Sequence, residues 1–311
     1  MLLITGITGF VGNVLQRELR EREIRFRCLA RGRQPPPQIS GGEVVVGDLL
    51  DQDGLLPLTR GVNTVIHLAA RIQSADPAEI MEVNVRGTEN LVAACIRNGV
   101  SKIIYISSLD AVLDKSGAYG KSKARAEEIV RKSNIGYTIL RPAFIYGRDA
   151  RNLAALTRVI RSFPIFPVPG SGRARLQPVH VRDLCAVILK LIRDQARNRA
   201  YCIAGEERIS MNDLIDRIAG CFSKRVWKVH IPPGLLWLLW QLRRFLPSGS
   251  APSWQSLRLL NRDKICDIGD ARQDLGFAPI SLDEGLRRVF SSAGSPGEPG
   301  GGSGQDRRET D

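Results

Sequence analysis

The sequence predicts an α/β fold, a doubly wound parallel sheet with a smaller C-terminal region. Three observations predict it. The apolar stub Leu2-Leu3-Ile4 runs straight into the glycine-spaced stretch Thr5-Gly6-Ile7-Thr8-Gly9-Phe10-Val11-Gly12. Short β-branched or apolar runs then alternate with amphipathic stretches, the pattern of strands joined by crossover helices. The amphipathic stretches close on helix stop signals, Asn98-Gly99 and Asn134.

The first strand is the stub itself, and residues 10–19 follow with helical periodicity. Residues 25–30 read as the second strand and complete a βαβ unit. Further strands are expected at 44–46, 64–68, 103–106 and 138–140, with long helices over 78–98 and 121–132. After Tyr146-Gly147 the pattern loosens into arginines and the stretch Phe166-Pro167-Val168-Pro169-Gly170, read as the start of a substrate-binding region. A helix over 181–193 and a strand over 201–203 return to the main sheet. The expected organisation is a first domain over 1–147 rejoined by 177–204, a substrate-binding region over 148–290, and a tail. Residues 291–311 are almost entirely Gly, Ser, Pro and charge, with nothing to offset their ordering entropy, so disorder is expected there.

Composition excludes several functions. A chain of 311 residues buries a substantial core. No apolar run reaches the ~20 residues of a membrane-spanning helix. Because Leu2 already opens a strand, a signal peptide has no room, and a cytoplasmic location is expected. Cys28, Cys95, Cys185, Cys202, Cys221 and Cys266 are scattered without a Cys-x-x-Cys pair and read as reduced core residues. His67, His180 and His230 lie far apart, so no metal site is expected. The net charge of +13 raises a nucleic-acid reading. Arginines spread along the chain among glutamates, with no basic block and no stacking series of aromatics, argue against it.

The glycine stretch has a physical reading. Gly6, Gly9 and Gly12 give a tight strand-to-helix turn, close backbone approach to a pyrophosphate, and close packing of helix on strand. The unpaired N–H groups and positive end of the following helix attract the phosphates. A dinucleotide is therefore the expected ligand. Tyr119-Gly120-Lys121-Ser122-Lys123 places a phenol and an ammonium four residues apart on one helix face. A tyrosine is a poor base near neutrality, but a neighbouring ammonium and an oxidised nicotinamide favour its phenolate. Tyr119 is thus a candidate acid/base. The 103–106 strand ends in Ser107-Ser108, where open α/β sheets bind ligands, and a hydroxyl there orients a carbonyl.

With these residues the chain resembles the short-chain dehydrogenase/reductase superfamily, specifically its extended branch of NAD-dependent epimerases and dehydratases. The resemblance runs through most of the chain and implies an NAD(P)-binding Rossmann domain. It implies that residues 5–12, with Thr8, Phe10 and Val11 among them, cradle the pyrophosphate. Asp48-Leu49 resembles the pair that contacts adenine, and Leu68-Ala69-Ala70 the segment beside the cofactor ribose. Asn84-Val85-Arg86-Gly87-Thr88 resembles the helix segment whose Asn stabilises the central strands. Ser108, Tyr119 and Lys123 match the catalytic trio, with Ser107 as the alternative hydroxyl. Arg141-Pro142-Ala143 and Tyr146-Gly147 match the turn beside the nicotinamide, and His180-Val181-Arg182-Asp183 matches a structural segment. Leu275-Gly276-Phe277 with Leu282-Asp283-Glu284-Gly285-Leu286 matches the closing signature.

Cofactor choice is read at the second strand's end. An acid there binds the 2′-hydroxyl of NAD, whereas this chain has Arg31-Gly32-Arg33, which favours NADP over NAD. Two departures bear on substrate. Ser108 and Tyr119 are eleven residues apart, closer than in the sugar-nucleotide epimerases, which predicts a more open pocket. The arginine that clamps a substrate diphosphate in those enzymes corresponds to Leu176, with Arg175 beside it, which weakens the nucleotide-sugar reading. Arg148, Arg151, Arg173 and Arg175 are alternative anchors for an acidic substrate. The partner is a small molecule: a sugar nucleotide, a ketone or a lipid-like alcohol. Dehydration would require a further carboxylate, for which Asp110 and Asp114 are the nearby residues. Segment 233–247, apolar with two tryptophans and a basic end, reads as a lid, a buried helix or a peripheral membrane contact. A homodimer is open. A rival reading is a non-catalytic nucleotide-binding subunit, since 170–180 also resembles the accessory Rossmann subunit of respiratory complex I. Retention of both Tyr119 and Lys123 favours an enzyme.

Overall fold

The computed structural model describes residues 1–32, 39, 41–114, 116–232, 234–235, 237 and 262–291. Arg33, most of segment 233–247 and the tail beyond Ser291 lie outside the described residues. In chain order the first half comprises β1 (Leu2–Thr5), α1 (Phe10–Glu21), β2 (Phe26–Ala30), β3 (Gly42–Val46), α2 (Gln52–Thr59), β4 (Thr64–His67), α3 (Pro77–Met81), α4 (Gly87–Arg97), β5 (Lys102–Ile106) and α5 (Ala118–Lys132). Then come β6 (Gly136–Pro142), β7 (Phe144–Tyr146), α6 (Arg151–Ser162), β8 (Ile165–Pro169), β9 (Arg175–Leu176), β10 (Pro178–His180), α7 (Val181–Arg193) and β11 (Arg199–Ile203). The chain ends with β12 (Ile209–Ser210), α8 (Met211–Gly220), β13 (Trp227–Ile231), α9 (Gly269–Leu275) and α10 (Leu282–Phe290).

Seven parallel strands form the central sheet in the order β3-β2-β1-β4-β5-β6-β11. Winding reverses between β1 and β4, and the crevice beyond their C-terminal ends is where such sheets bind ligands. Both faces are covered, so neighbouring residues of one strand enter different cores. Leu2 and Ile4 pack with Leu15, Leu19 and Ile188, whereas Leu3 packs with Leu91, Ile103 and Val130. That is why the strands read as continuous apolar runs. Buried Lys102 ties the sheet to α7 by donating to the carbonyls of Leu191, Ile192 and Asp194 at that helix's C-terminal end.

The helix expected over 78–98 is present with one irregularity. α3 passes through a π-helical turn, Glu82–Arg86, into α4. Buried Asn84 lies in that turn, accepting from the Arg71 N–H at 2.7 Å and donating to the Arg71 carbonyl at 3.0 Å and Ser122 Oγ at 2.9 Å. Ser122 in turn donates to the Tyr119 carbonyl at 2.7 Å, so the turn fixes the start of α5.

The stretch after Gly147 holds more regular structure than its composition suggested. α6 buries Leu153 and Ile160 at helical spacing, and the proline-rich 165–169 segment forms β8. Its sheet has two strands, so prolines in β8 interrupt no central ladder. Together with α8 and α10 these elements enclose a third apolar cluster, which includes Phe166, Val168, Leu214 and Leu286. All six cysteines are free; Cys28, Cys95 and Cys185 are buried, whereas Cys221 is exposed because it lies beyond the last turn of α8. Among the described residues no helix is long and apolar enough to cross a membrane, and no group of three His, Cys, Asp or Glu is placed to hold a metal ion.

His67 links β1, β4 and α4. Its Nδ1 lies 2.6 Å from Thr5 Oγ1 and its Nε2 lies 3.0 Å from Thr88 Oγ1. The Thr88 hydroxyl donates to the Asn84 carbonyl, so Nε2 carries the proton and Nδ1 accepts from Thr5. Burial, with the Lys123 ammonium adding to it, pushes this imidazole down to about 3. The unfolded chain takes up that proton near pH 6.5, so this contribution to stability is full above that pH and is lost as pH falls. Burial also lowers His180, to about 4, with the same sign. Urea unfolding should show stability falling by about 2 kcal/mol per histidine between roughly pH 7 and pH 5. The His67→Gln variant should show a shallower decline.

Candidate active site

The turn after β1 is built by backbone contact. Gly6 has φ +78°, and a Cβ there would lie 2.5 Å from the Ala69 nitrogen; at Gly12 it would lie 2.3 Å from the Ile7 carbonyl oxygen. Only glycine permits both approaches. α1 begins at Phe10 with Gly9 as its N-cap, no side-chain cap and no acid in its first turn. Its first N–H groups are therefore available to an anion, which suits a dinucleotide pyrophosphate. Thr8 and Gly9 are exposed, Phe10 and Val11 half-buried.

The sheet gathers the other expected cofactor residues along the same edge. Leu68, Ala69 and Ala70 follow β4, and exposed Arg31 follows β2. Asp48 follows β3 and accepts from the Leu50 N–H at 2.9 Å. Buried Leu49 packs under Gly87, and buried Pro142 closes β6.

The two adjacent serines have different environments. Ser107 is buried and donates to Glu127 Oε1 at 2.6 Å. Ser108 accepts from the Asp110 N–H at 3.1 Å, capping the short 3₁₀ turn Leu109–Ala111, and its hydroxyl neighbours the Tyr119 phenol. Burial and then the Asp110 carboxylate push that phenol up to about 12, and the Ser108 hydroxyl pulls it down. Lys123 lies one turn along α5, buried, with Nζ donating to the Ile106 carbonyl at 2.6 Å and 4.2 Å from the centroid of the Tyr105 ring. Burial pushes its ammonium down to about 7, against the pull of Glu127. The ammonium expected to favour the Tyr119 phenolate is thus directed to a strand carbonyl, and burial, Asp110 and Ser108 set the phenol.

Two site features were not singled out from sequence. Glu127, a further turn along α5, accepts from Ser107, from Arg131 at 2.6 Å, and from Arg141 through Nε at 2.9 Å and Nη2 at 2.6 Å. These bonds hold its carboxyl below its usual range despite burial. Its four-residue spacing from Lys123 was the available signal. Asp110 is paired with Lys264 at 2.8 Å. Lys264 is delivered from far along the chain by its own N–H, which donates to the Arg175 carbonyl at 2.7 Å. Nothing local in sequence signals that pair.

Leu176 is buried in the third apolar cluster, and Arg175 points outward into a pair with Asp263 through Nε at 2.9 Å and Nη2 at 2.6 Å. Arg148, Arg151 and Arg173 do not join it. Within the matched segment His180 caps α7 by accepting from the Arg182 N–H at 3.3 Å, and Asp183 accepts from the Ile280 N–H at 3.2 Å.

Residues 2–204 match the model of the NAD dependent epimerase/dehydratase family. The chain belongs to that family. It is similar to a 2-alkyl-3-oxoalkanoate reductase of Stenotrophomonas maltophilia, 25% identical over 94% of this chain and 99% of the relative. Sterol demethylase protein B of Methylococcus capsulatus is 28% identical over 94% and 96%. A crystal structure of UDP-glucose 4-epimerase with UDP-glucose from Thermotoga maritima superposes with a TM-score of 0.75, at 21% identity, covering 94% of this chain and 99% of that one. That likeness concerns the fold. Membership and these relatives make the protein an NAD(P)-dependent enzyme of the short-chain dehydrogenase/reductase type. The accessory-subunit reading draws no support from them.

Glu127 is the test of how this family member holds its site. Glu127→Ala should destabilise the fold by about 3–5 kcal/mol in urea unfolding, because Arg141 and Ser107 are left without their buried acceptor. Glu127→Gln should fall between this variant and the unmodified protein.

Proposed function

We propose that the protein is an NADP-dependent oxidoreductase that moves hydride at a carbinol or ketone carbon, with Tyr119 as the acid/base. The observation that carries this reading is the placement of Ser108 beside the Tyr119 phenol just beyond the C-terminal end of β5, with Lys123 one turn along and the glycine loop on the same sheet edge. The nicotinamide supplies or accepts the hydride when bound. Residues 5–12 hold the pyrophosphate, Asp48 and Leu49 the adenine, Leu68 to Ala70 and Lys123 the ribose, Pro142 the nicotinamide side, and Arg31 a 2′-phosphate. Residues 1–147 with 177–204 form the cofactor side, and 148–290 the substrate side.

A phenol pushed up to about 12 is protonated near neutrality, which supports Tyr119 as proton donor to a carbonyl that Ser108 orients. Leu176 in the core, where a diphosphate clamp would need a guanidinium, supports a ketone over a sugar nucleotide. The name of the oxoalkanoate reductase points the same way. Asp110, a carboxylate that dehydration would call on, is engaged by Lys264, which supports plain redox chemistry. The apolar segment 233–247 with its basic end supports a peripheral contact with a membrane.

The experiment is cofactor titration followed by turnover against a panel of ketones. Tyr119→Phe should lower kcat by about a hundredfold or more while leaving NADPH affinity near that of the unmodified protein; unchanged turnover would sink the mechanism. Arg31→Glu should weaken NADPH binding by about tenfold without weakening NADH, read by nicotinamide fluorescence. Equal loss of both cofactors would remove Arg31 from the 2′-phosphate.

A further inference from the structure

Residues 150–182 and 217–232 together hold ten of the 45 Lys and Arg and none of the 32 Asp and Glu; Arg175, Arg182, Arg217 and Lys228 pair with carboxylates from outside these stretches, and Arg158, Arg161, Lys224 and Arg225 are among the others. Neither stretch contains a long basic run, so along the sequence the positive charge looks dispersed. The fold joins them through the parallel pairing of β8 with β13, in the register Ile165 to Trp227, Pro167 to Val229 and Pro169 to Ile231.

Among the described residues that two-stranded sheet has one covered face and one bare face. Phe166 and Val168 are buried in the third apolar cluster, while Lys228 pairs with Asp216 and His230 lies 3.1 Å from Asn212 Oδ1, both on α8. Alternation sends Ile165, Pro167, Trp227 and Val229 to the opposite side. Trp227 is 78% exposed, Ile165 52% and Val229 50%, and Phe163 just before β8 is 60% exposed. A soluble protein rarely leaves a contiguous apolar face of this kind without a partner.

The edge of the face is basic. Lys224 donates to the Arg161 carbonyl, and the Arg161 guanidinium lies 5.5 Å from the Phe222 ring. The same Arg161 lines a cavity of about 560 Å³ with Arg148, Arg158, Thr157 and Phe290, and among the described residues no carboxylate borders it. The buried Thr157 hydroxyl has no hydrogen-bond partner. Three guanidiniums and an unmatched hydroxyl suit a phosphate. From Arg161 the chain runs through Phe163 directly into the bare face.

We propose that the outer face of β8 and β13 docks on an anionic phospholipid bilayer, its apolar side chains entering the interface while the arginine cavity at its edge receives a lipid phosphate. Exposed tryptophan with lysine and arginine, and no acid, is the composition that partitions to such a surface. A second copy of the chain would bring the same basic stretches to the contact, which like-charge repulsion opposes. The proposal rests on the peripheral-membrane reading but not on the catalytic one, and it assigns the contact to described residues outside 233–247.

The test is co-sedimentation of the full chain with vesicles of phosphatidylcholine, alone or containing about 30% phosphatidylglycerol. Binding to the anionic vesicles only, and its loss at about 0.5 M salt, is expected. Trp227→Asp with Val229→Asp should weaken binding by about tenfold or more, and Arg158→Glu by about fivefold or more, with unchanged melting temperature and unchanged NADPH affinity. Binding undiminished in these variants would leave the membrane contact to 233–247 and overturn the proposal. No binding by the unmodified chain would overturn both it and the membrane reading, leaving the oxidoreductase reading untouched. A dimer on size exclusion that Val229→Asp splits would make a second copy the occupant and also overturn it.

Discussion

One buried carboxylate holds the site together. Glu127 receives the Ser107 hydroxyl from the end of β5, the Arg141 guanidinium from the end of β6, and Arg131 from its own helix. A carboxylate removed from water is costly unless several donors meet it, and here they come from three successive elements. The result is a helix pinned at one register against two strand ends. Tyr119 and Lys123, two turns and one turn before Glu127, take their places over the sheet edge from that pin.

The same register is fixed from the other end of the helix. The π-helical turn turns Asn84 onto Arg71 and Ser122, and Ser122 holds the Tyr119 carbonyl. An extra residue in a helical turn leaves its usual ladder incomplete, and the gain is a side-chain amide aimed at a neighbouring helix. Glu127 and Asn84 thus bracket the first turns of α5. Both are buried polar groups, and both are fully engaged.

Electrostatically the site opposes two tendencies. Burial disfavours charge on both Lys123 and Tyr119, so the ammonium falls and the phenol rises. Glu127 offsets part of the ammonium's fall, and Asp110 adds to the rise of the phenol while Ser108 draws it back. Asp110 is itself held by Lys264, which reaches the turn only because its backbone lies along β9. The C-terminal part of the chain therefore takes part in setting the electrostatics around Ser108, Tyr119 and Lys123, which all lie before residue 124.

Much of this was legible in the sequence because it depends on short-range chemistry. Three glycines spaced for a strand-to-helix turn, a tyrosine and lysine one helical turn apart, and apolar runs buried on both faces each leave a local signature. Ser108 was preferred to Ser107 only through the family resemblance, since both follow the strand, and in the structure the position of Glu127 separates them. Nor was α6 read as a helix, because its arginines masked the apolar spacing of Leu153 and Ile160. The basic edge beside β8 was not legible because Arg148, Arg158 and Arg161 are not consecutive, and Lys224 reaches the Arg161 carbonyl from beyond α8. The sequence by itself determined the sheet, the glycine turn and the candidate site side chains, whose spacing is set within one element or one βαβ unit. Only the tertiary structure decided which serine meets the phenol, what neutralises Asp110 and where the positive charge collects, because each depends on residues that pairing and packing bring together from distant parts of the chain.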